Sequence, residues 1–100
     1  GFNIYPSDLE LELGKHPDVL ESAVVGVPSD KWGETPVAYV TLRPGRAISA
    51  EELKAWMNAR VGKTQRLADL VFMDTLPRSH IGKVLKKDLR DDYKGPALGG

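Results

Sequence analysis

The sequence predicts one small α+β domain, a mixed α/β sandwich in which a short three-stranded sheet is flanked by helices. Three observations predict this fold. The chain has 100 residues, the size of one ordinary domain, and 41% of them are hydrophobic, enough for one modest core. It contains no Cys, so a disulfide framework and Cys-ligated metals are excluded. Apolar runs and helix-period patterns follow one another in the order helix, strand, strand, helix, strand, helix.

The first half of the chain predicts one helix and an antiparallel pair of strands. Pro6 is typical of a first helical turn, and the helix is expected to end near 15–16. The run 22–27 is mostly apolar and predicts a buried strand. A loop over 28–35 leads to a β-branched and aromatic run over 37–42, which predicts the second strand. Because consecutive strands usually pair, these two form the antiparallel pair.

The second half of the chain opens with the clearest helix signal. Ser49 and Glu52 have the S-x-x-E spacing of a capping box, and the helix is expected to end near Gly62. Its apolar stripe has helical spacing and consists of Leu53, Trp56, Met57 and Val61. The range 70–73 predicts the third strand.

A loop over 77–82 is expected to join that strand to a final helix over 84–93. One face of this helix is apolar and carries Leu85, Leu89 and Tyr93. The remaining tail, 95–100, is expected to be flexible.

The charge of the chain is balanced overall but divided along its length. Residues 1–55 carry 5 Lys/Arg and 9 Asp/Glu, whereas residues 56–100 carry 9 Lys/Arg and 5 Asp/Glu. The basic excess includes a stripe at helical spacing, formed by Lys83, Lys86, Lys87, Arg90 and Lys94. A solvated helix face explains most of this stripe, and a nucleic-acid footprint is the weaker alternative, because neither Trp lies near it. No apolar run is long enough for a membrane span, and a cytoplasmic location is expected.

Three kinds of catalytic site are excluded by spacing. His16 and His80 are too far apart for a zinc-protease motif, and no metal site is expected. Ser79 and His80 are sequence neighbours, which does not supply the converging side chains of a nucleophile and its base. A P-loop requires Ser or Thr after Gly-Lys, and this chain has Val84 there.

Lys83 stands apart from the rest of the basic stripe. It follows Gly82 at the end of an irregular loop that Pro77 opens. A loop that projects one long cation can bring it to an anion bound elsewhere. From spacing alone, the chain is an α+β domain with one candidate functional lysine.

Several segments together resemble one family. Gly1–Glu10 and Leu76–Arg90 are similar to the opening segment and the closing motif of the small C-terminal domain of adenylate-forming enzymes. His16–Val19, Ala23–Pro28 and Trp32–Glu34 also match the family, in order and at family spacing. This superfamily comprises acyl-CoA synthetases, the adenylation domains of non-ribosomal peptide synthetases and beetle luciferases.

The resemblance implies a part in a two-step reaction. A carboxylate attacks the α-phosphate of ATP to give acyl-AMP, and a thiol, usually that of coenzyme A, then displaces AMP. Residues 1–94 would form the C-terminal domain, a mobile lid of an acyl-CoA ligase of the fatty-acid–CoA ligase type, inactive alone. A large N-terminal domain, absent from this chain, would be its partner and bind ATP, Mg²⁺ and the carboxylic acid.

The resemblance also implies roles for particular residues. Lys83 matches the catalytic lysine of the adenylation step, and in some relatives this lysine is acetylated, so a lysine acetyltransferase and deacetylase are possible partners. Gly1 matches the glycine that lines the coenzyme A (pantetheine) channel, with Phe2 and Asn3 beside it. The supporting loop residues would be Arg78, Ser79 and Gly82.

Three alternatives stay open at this point. The acceptor thiol belongs either to coenzyme A or to a carrier protein, and a fatty or aromatic acyl-CoA ligase is preferred. A stand-alone binding module would use the basic stripe on RNA or an acidic partner. In a purely structural domain, Lys83 would only be solvated.

Overall fold

The computed structural model describes residues 5–29, 33–62 and 65–93. Three helices and three strands follow one another in the predicted order. They are α1 (Pro6–Leu13), β1 (Val19–Ser29), β2 (Gly33–Leu42), α2 (Ala50–Asn58), β3 (Asp69–Phe72) and α3 (Lys86–Asp92). The small α+β fold with a mixed three-stranded sheet is therefore confirmed.

The sheet has the order β1-β2-β3, with β2 in the centre. β1 and β2 are antiparallel, with paired positions from Val19 and Leu42 to Ser29 and Gly33. β3 is parallel to β2, and its pairing begins at Val37 with Asp69. A parallel pair needs a crossover connection, which α2 supplies.

The predicted loop over 28–35 is wrong, because both strands extend into it. Pro28 pairs with Glu34 inside the antiparallel ladder. Within the described sheet, β1 has a strand on one side only, so a proline there interrupts no ladder to a third strand. Residues 30–32, which lie between the two strands, are outside the described residues.

The two faces of the sheet cover separate hydrophobic clusters. Alternating residues of β1 enter them, with Val24 in one cluster and Val25 in the other. The first cluster is covered by α1 and α2, and its fully buried members include Leu9, Leu13, Leu53 and Met57. In the second cluster, α3 contributes Leu89. The predicted stripe of α2 is confirmed by the burial of Leu53 and Met57, although Val61 follows the end of this helix. Of the face predicted for the last helix, Leu89 is the residue that is buried within α3.

The helix boundaries differ from prediction by a few residues. Ser49 Oγ accepts a hydrogen bond from the Glu52 N–H at 3.0 Å, so the cap of α2 is confirmed. α3 begins at Lys86 instead of Val84, because Val84 forms an isolated β-bridge with Arg78. Leu85 is therefore the residue before α3 and does not lie on its apolar face as predicted. The described part of the chain has no helix long and apolar enough to cross a membrane.

Two tyrosines fasten α3 to the sheet. The Tyr39 hydroxyl donates to the Leu89 carbonyl oxygen at 3.0 Å, and the Tyr93 hydroxyl donates to Asp69 Oδ2 at 2.6 Å. Burial raises the pKa of Tyr39 above its ordinary value. The pKa of Tyr93 is raised strongly, first by burial and then by the hydrogen bond to Asp69. Both groups therefore stay neutral and hold α3 in place.

Candidate functional site

The segment that carries the candidate lysine is a tight hairpin over residues 78–84, called the Lys83 loop below. The bridge between Arg78 and Val84 closes it. Inside the bridge, the Ser79 N–H donates to the Lys83 carbonyl oxygen at 2.8 Å, and the Gly82 N–H donates to the Ser79 carbonyl oxygen at 2.9 Å. These bonds are typical of a three-residue hairpin loop whose last residue is left-handed. The loop therefore has a defined backbone.

Gly82 is the residue that permits this backbone. Its φ is +87°, in the left-handed region that residues with a Cβ rarely adopt. No atom lies within 4 Å of the position where a Cβ would be, so the requirement for glycine is conformational and not steric. The glycine before the lysine thus has a local structural cause, and its supporting role in the reaction stays a prediction.

Lys83 is exposed and follows Gly82 directly. Among the residues that the structure describes, no salt bridge or side-chain hydrogen bond involves Lys83. By contrast, Lys86 on the same stripe lies 2.6 Å from Glu10 Oε2. A charge without an internal partner is available to a ligand, which is the property that a mobile anion-binding group requires.

Arg78 connects the Lys83 loop to the sheet. Its Nη1 donates to the Gly82 carbonyl oxygen at 3.0 Å, and its Nη2 donates to Glu21 Oε1 on β1. One guanidinium therefore holds the peptide unit that precedes Lys83 and a carboxylate of the sheet at the same time. The supporting role of Arg78 in the reaction stays a prediction.

Ser79 stabilises the loop through its backbone hydrogen bonds and not through a hydrogen bond of its hydroxyl. The Ser79 Oγ is buried and has no hydrogen-bond partner among the described residues. Between Ser79 and Gly82, the tip of the loop is exposed, and the Ile81 side chain is 77% exposed. The loop thus projects its tip and Lys83 away from the hydrophobic clusters.

The basic stripe does not form one face of free cations. Glu10, on α1, is paired with Lys86 and also accepts the Val24 N–H at 2.8 Å. Lys86 therefore has a carboxylate partner on α1, although its side chain is still 41% exposed. Lys87 and Arg90 are exposed on α3, whereas Lys94 lies outside the described residues.

The remaining predicted positions are distributed as follows. Gly1, Phe2 and Asn3 lie outside the described residues.

Within residues 5–29, 33–62 and 65–93, no group of three or more His, Cys, Asp or Glu side chains could hold a metal ion. Sequence reasoning missed Glu21 and Glu10, because no local pattern links either carboxylate to its basic partner.

Comparison with known proteins relates these features to a family. A family model described as the AMP-binding enzyme C-terminal domain matches residues 8–83. The chain is 41% identical over 93 residues to 4-coumarate–CoA ligase-like 9 of Oryza sativa subsp. japonica, covering 93% of the chain and 17% of that protein. It is 37% identical over 95 residues to the fatty acid–[acyl-carrier-protein] ligase ScoC of Streptomyces coeruleorubidus, covering 95% of the chain and 18% of that protein. The chain thus spans less than a fifth of the length of these relatives.

Solved structures have the same fold. ATP-bound MatB from Rhodopseudomonas palustris superposes with a TM-score of 0.87 at 36% identity, covering 93% of this chain and 18% of that one. A Mycobacterium tuberculosis fatty acyl CoA synthetase gives a TM-score of 0.81 at 32% identity, covering 93% of this chain and 18% of that one. The resemblance that the sequence motifs indicated is confirmed at the level of family and fold.

Proposed function

Because the chain belongs to the family of AMP-binding enzyme C-terminal domains, we propose that it is the C-terminal domain of an ATP-dependent acyl-CoA ligase. In the first half-reaction, a carboxylate oxygen of the acid attacks the α-phosphorus of ATP, and pyrophosphate leaves. In the second, the sulfur of a thiol attacks the acyl carbon, and AMP leaves. The matched relatives that are ligases, and the ATP-bound neighbour, support this assignment.

The observation that carries the proposal is the free, exposed Lys83 on a loop whose backbone is fixed by Gly82. Two anions must meet in the first half-reaction, and negative charge accumulates at the α-phosphorus. An ammonium group beside them screens their repulsion and orients the carboxylate. A preorganised contact of this kind lowers the barrier by about 3–4 kcal/mol. We therefore assign Lys83 to the adenylation step.

The rest of the site is assigned to parts of the enzyme outside the described residues. ATP, Mg²⁺ and the acid would be bound by a larger N-terminal domain, as the resemblance to the family implies. Gly1, Phe2 and Asn3 would line the thiol channel, as their resemblance to the family implies. Presenting Lys83 in one step and this segment in the other requires the domain to rotate between the two half-reactions. We also propose that the enzyme acts in the cytoplasm, where both ATP and coenzyme A are available.

The test of this function separates the two half-reactions in the full-length enzyme. Lys83→Ala is expected to lower ATP–pyrophosphate exchange by roughly 10²–10³-fold. Thioester formation from supplied acyl-AMP is expected to stay unchanged. Lys87→Ala is the matched control, because Lys87 is an exposed lysine on α3. Equal losses in both half-reactions, or in both variants, would contradict the assignment.

Acetylation of Lys83 would remove the charge on which the first half-reaction depends. The exposure of the side chain makes it accessible to a lysine acetyltransferase, and a deacetylase would restore it. We therefore propose that acetylation stops adenylation and spares thioester formation, as Lys83→Ala does. Mass spectrometry of the enzyme from deacetylase-deficient cells tests this, and a Lys83 that stays unmodified there contradicts it.

The acceptor thiol is proposed to be that of coenzyme A. Relatives such as 4-coumarate–CoA ligase-like 9 and an indoleacetate–CoA ligase of Aromatoleum aromaticum are named as CoA ligases, which supports this acceptor. ScoC, which is named as an acyl-carrier-protein ligase, supports the carrier-protein alternative. Supplying acyl-AMP with either coenzyme A or a phosphopantetheinylated carrier protein distinguishes the two acceptors. Faster product formation with the carrier protein would favour the alternative.

A further inference from the structure

We propose that Arg78 and Glu21 form a positioning pair that sets the orientation of Lys83 relative to the sheet. This inference rests on the proposed function, because it concerns how the adenylation lysine is aimed. Neither side chain is placed against the reacting atoms. Both act through the backbone of the Lys83 loop.

The first step of the argument is the site that Arg78 holds. Its Nη1 bonds the Gly82 carbonyl oxygen at 3.0 Å. That carbonyl belongs to the peptide unit whose nitrogen is the N–H of Lys83, and a peptide unit is planar. Fixing the carbonyl therefore fixes the plane from which the Lys83 side chain departs.

The second step is that the loop's other bonds do not fix its orientation. The hydrogen bonds between Ser79, Gly82 and Lys83 lie inside the loop and determine only its shape. At its base, the Leu85 N–H donates to the Pro77 carbonyl oxygen at 2.9 Å, which also joins two residues of the same segment. The second amino group of Arg78 reaches Glu21 on β1, which is a different element. Besides the packing of Val84 against the second hydrophobic cluster, Arg78 is therefore the polar link that orients the Lys83 loop relative to β1.

The third step is that β1 is irregular where Glu21 lies. The antiparallel register shifts between Val19 and Glu21, and Glu21 then pairs with Thr41. The Thr41 hydroxyl donates to the Glu21 carbonyl oxygen at 3.5 Å. Bulges of this kind redirect a side chain near a functional site. Here the register shift lies next to Glu21, whose carboxylate contacts Arg78 at the base of the Lys83 loop.

The fourth step separates positioning from stability. The side chains of Arg78 and Glu21 are 37% and 42% exposed. Ion pairs this exposed contribute little to folding stability. The pair is therefore expected to matter for where the lysine lies, and its loss is expected to leave the fold intact.

The experiment measures steady-state adenylation, thioester formation and the thermal unfolding midpoint in the full-length enzyme. Arg78→Ala is expected to lower kcat for adenylation by roughly ten- to a hundredfold, since small misplacements have effects of this order. KM for ATP and for the acid, thioester formation from acyl-AMP, and the unfolding midpoint are expected to stay unchanged. Arg78→Lys keeps the positive charge, but one ammonium group cannot replace the two guanidinium hydrogen bonds to Gly82 and Glu21. This variant is therefore expected to restore little of the lost kcat.

Glu21→Ala supplies a second, independent variant. It is expected to lower kcat in the same direction as Arg78→Ala, and the double variant is expected to lose less than the product of the two losses, since both changes remove one interaction. The matched control is Arg46→Ala, because Arg46 is an exposed arginine paired with Asp18 at 3.4 Å, away from the Lys83 loop. This control is expected to keep wild-type kcat.

The outcomes distinguish this inference from the proposed function. If Lys83→Ala loses adenylation and both Arg78→Ala and Glu21→Ala keep it, the positioning pair is overturned and the proposed function stands. If none of the three loses adenylation, both are overturned. A loss shared equally by the two half-reactions, or strictly multiplicative losses in the double variant, also overturns the pair.

Discussion

The centre of the sheet and the Lys83 loop differ in almost every physical property. Val37, Ala38 and Val40 on β2 are 0% exposed, and Ala38 and Val40 belong to the first hydrophobic cluster whereas Val37 belongs to the second. The Lys83 loop has an exposed tip, a left-handed glycine and a lysine without a partner among the described residues. The sheet is stabilised by burial, whereas the loop is held by a few hydrogen bonds, the Arg78 guanidinium and the packing of Val84 against the second cluster. A residue that the fold does not use is free to act on a ligand.

The largest expected effect on stability comes from the first hydrophobic cluster. Leu53 is fully buried there, and Leu53→Ala is expected to lower the free energy of unfolding by about 2–5 kcal/mol through lost burial and a new cavity. Urea unfolding measures this value. Ile81→Ala is the control on the Lys83 loop, since Ile81 is 77% exposed, and it is expected to stay within about 0.5 kcal/mol of the wild type. Similar losses of unfolding free energy in Leu53→Ala and Ile81→Ala would contradict the stated difference between the hydrophobic core and the Lys83 loop.

A smaller effect is expected from Gly82→Ala. With φ at +87° and open space around the added Cβ, the cost is backbone strain, about 1–2 kcal/mol. Gly62→Ala is the matched control, because Gly62 also has open space but no positive φ. Comparing their urea unfolding curves isolates the strain. A Gly82→Ala variant as stable as Gly62→Ala would show that the loop does not need its left-handed residue.

The Tyr93 hydrogen bond is expected to contribute about 1 kcal/mol at neutral pH. Because the pKa of Tyr93 is raised from its ordinary value of 10.0, the folded state favours the neutral phenol. Its contribution is therefore complete below pH 10 and is lost as the pH rises further. Urea unfolding across this range should show the difference between wild type and Tyr93→Phe shrinking at alkaline pH. A constant or growing difference contradicts this assignment.

Much of this architecture follows from local chemistry that a sequence displays. The spacing of Ser49 and Glu52 predicts the start of α2, because the hydrogen bond of the cap joins residues only three positions apart. Gly82 lies at the end of the loop predicted over 77–82, and its positive φ is likewise a local property. The loop predicted over 28–35 failed because the tolerance for Pro28 depends on β1 being an edge strand, which is a property of the whole sheet. A local sequence pattern also cannot predict the contact between Glu21 and Arg78, because the two residues are 57 positions apart.

The smallest effect is expected from Ser79→Ala. The Ser79 Oγ is buried without a partner among the described residues, and Ser79 closes the loop through its backbone. Removing the hydroxyl is therefore expected to leave stability within about 0.5 kcal/mol of wild type, or to raise it. Ser49→Ala is the contrasting control, since Ser49 caps α2, and it is expected to cost about 1 kcal/mol. If Ser79→Ala costs as much as Ser49→Ala in urea unfolding, the hydroxyl has a structural partner.

The most direct test of the central claim is ATP–pyrophosphate exchange by Lys83→Ala in the full-length enzyme, with the unfolding midpoint of the same preparation as its reference. The claim is that Lys83 acts in adenylation and has no part in folding. It predicts an exchange rate lower by roughly 10²–10³-fold at an unchanged midpoint. An unchanged exchange rate, or a loss explained by a lower midpoint, would contradict it.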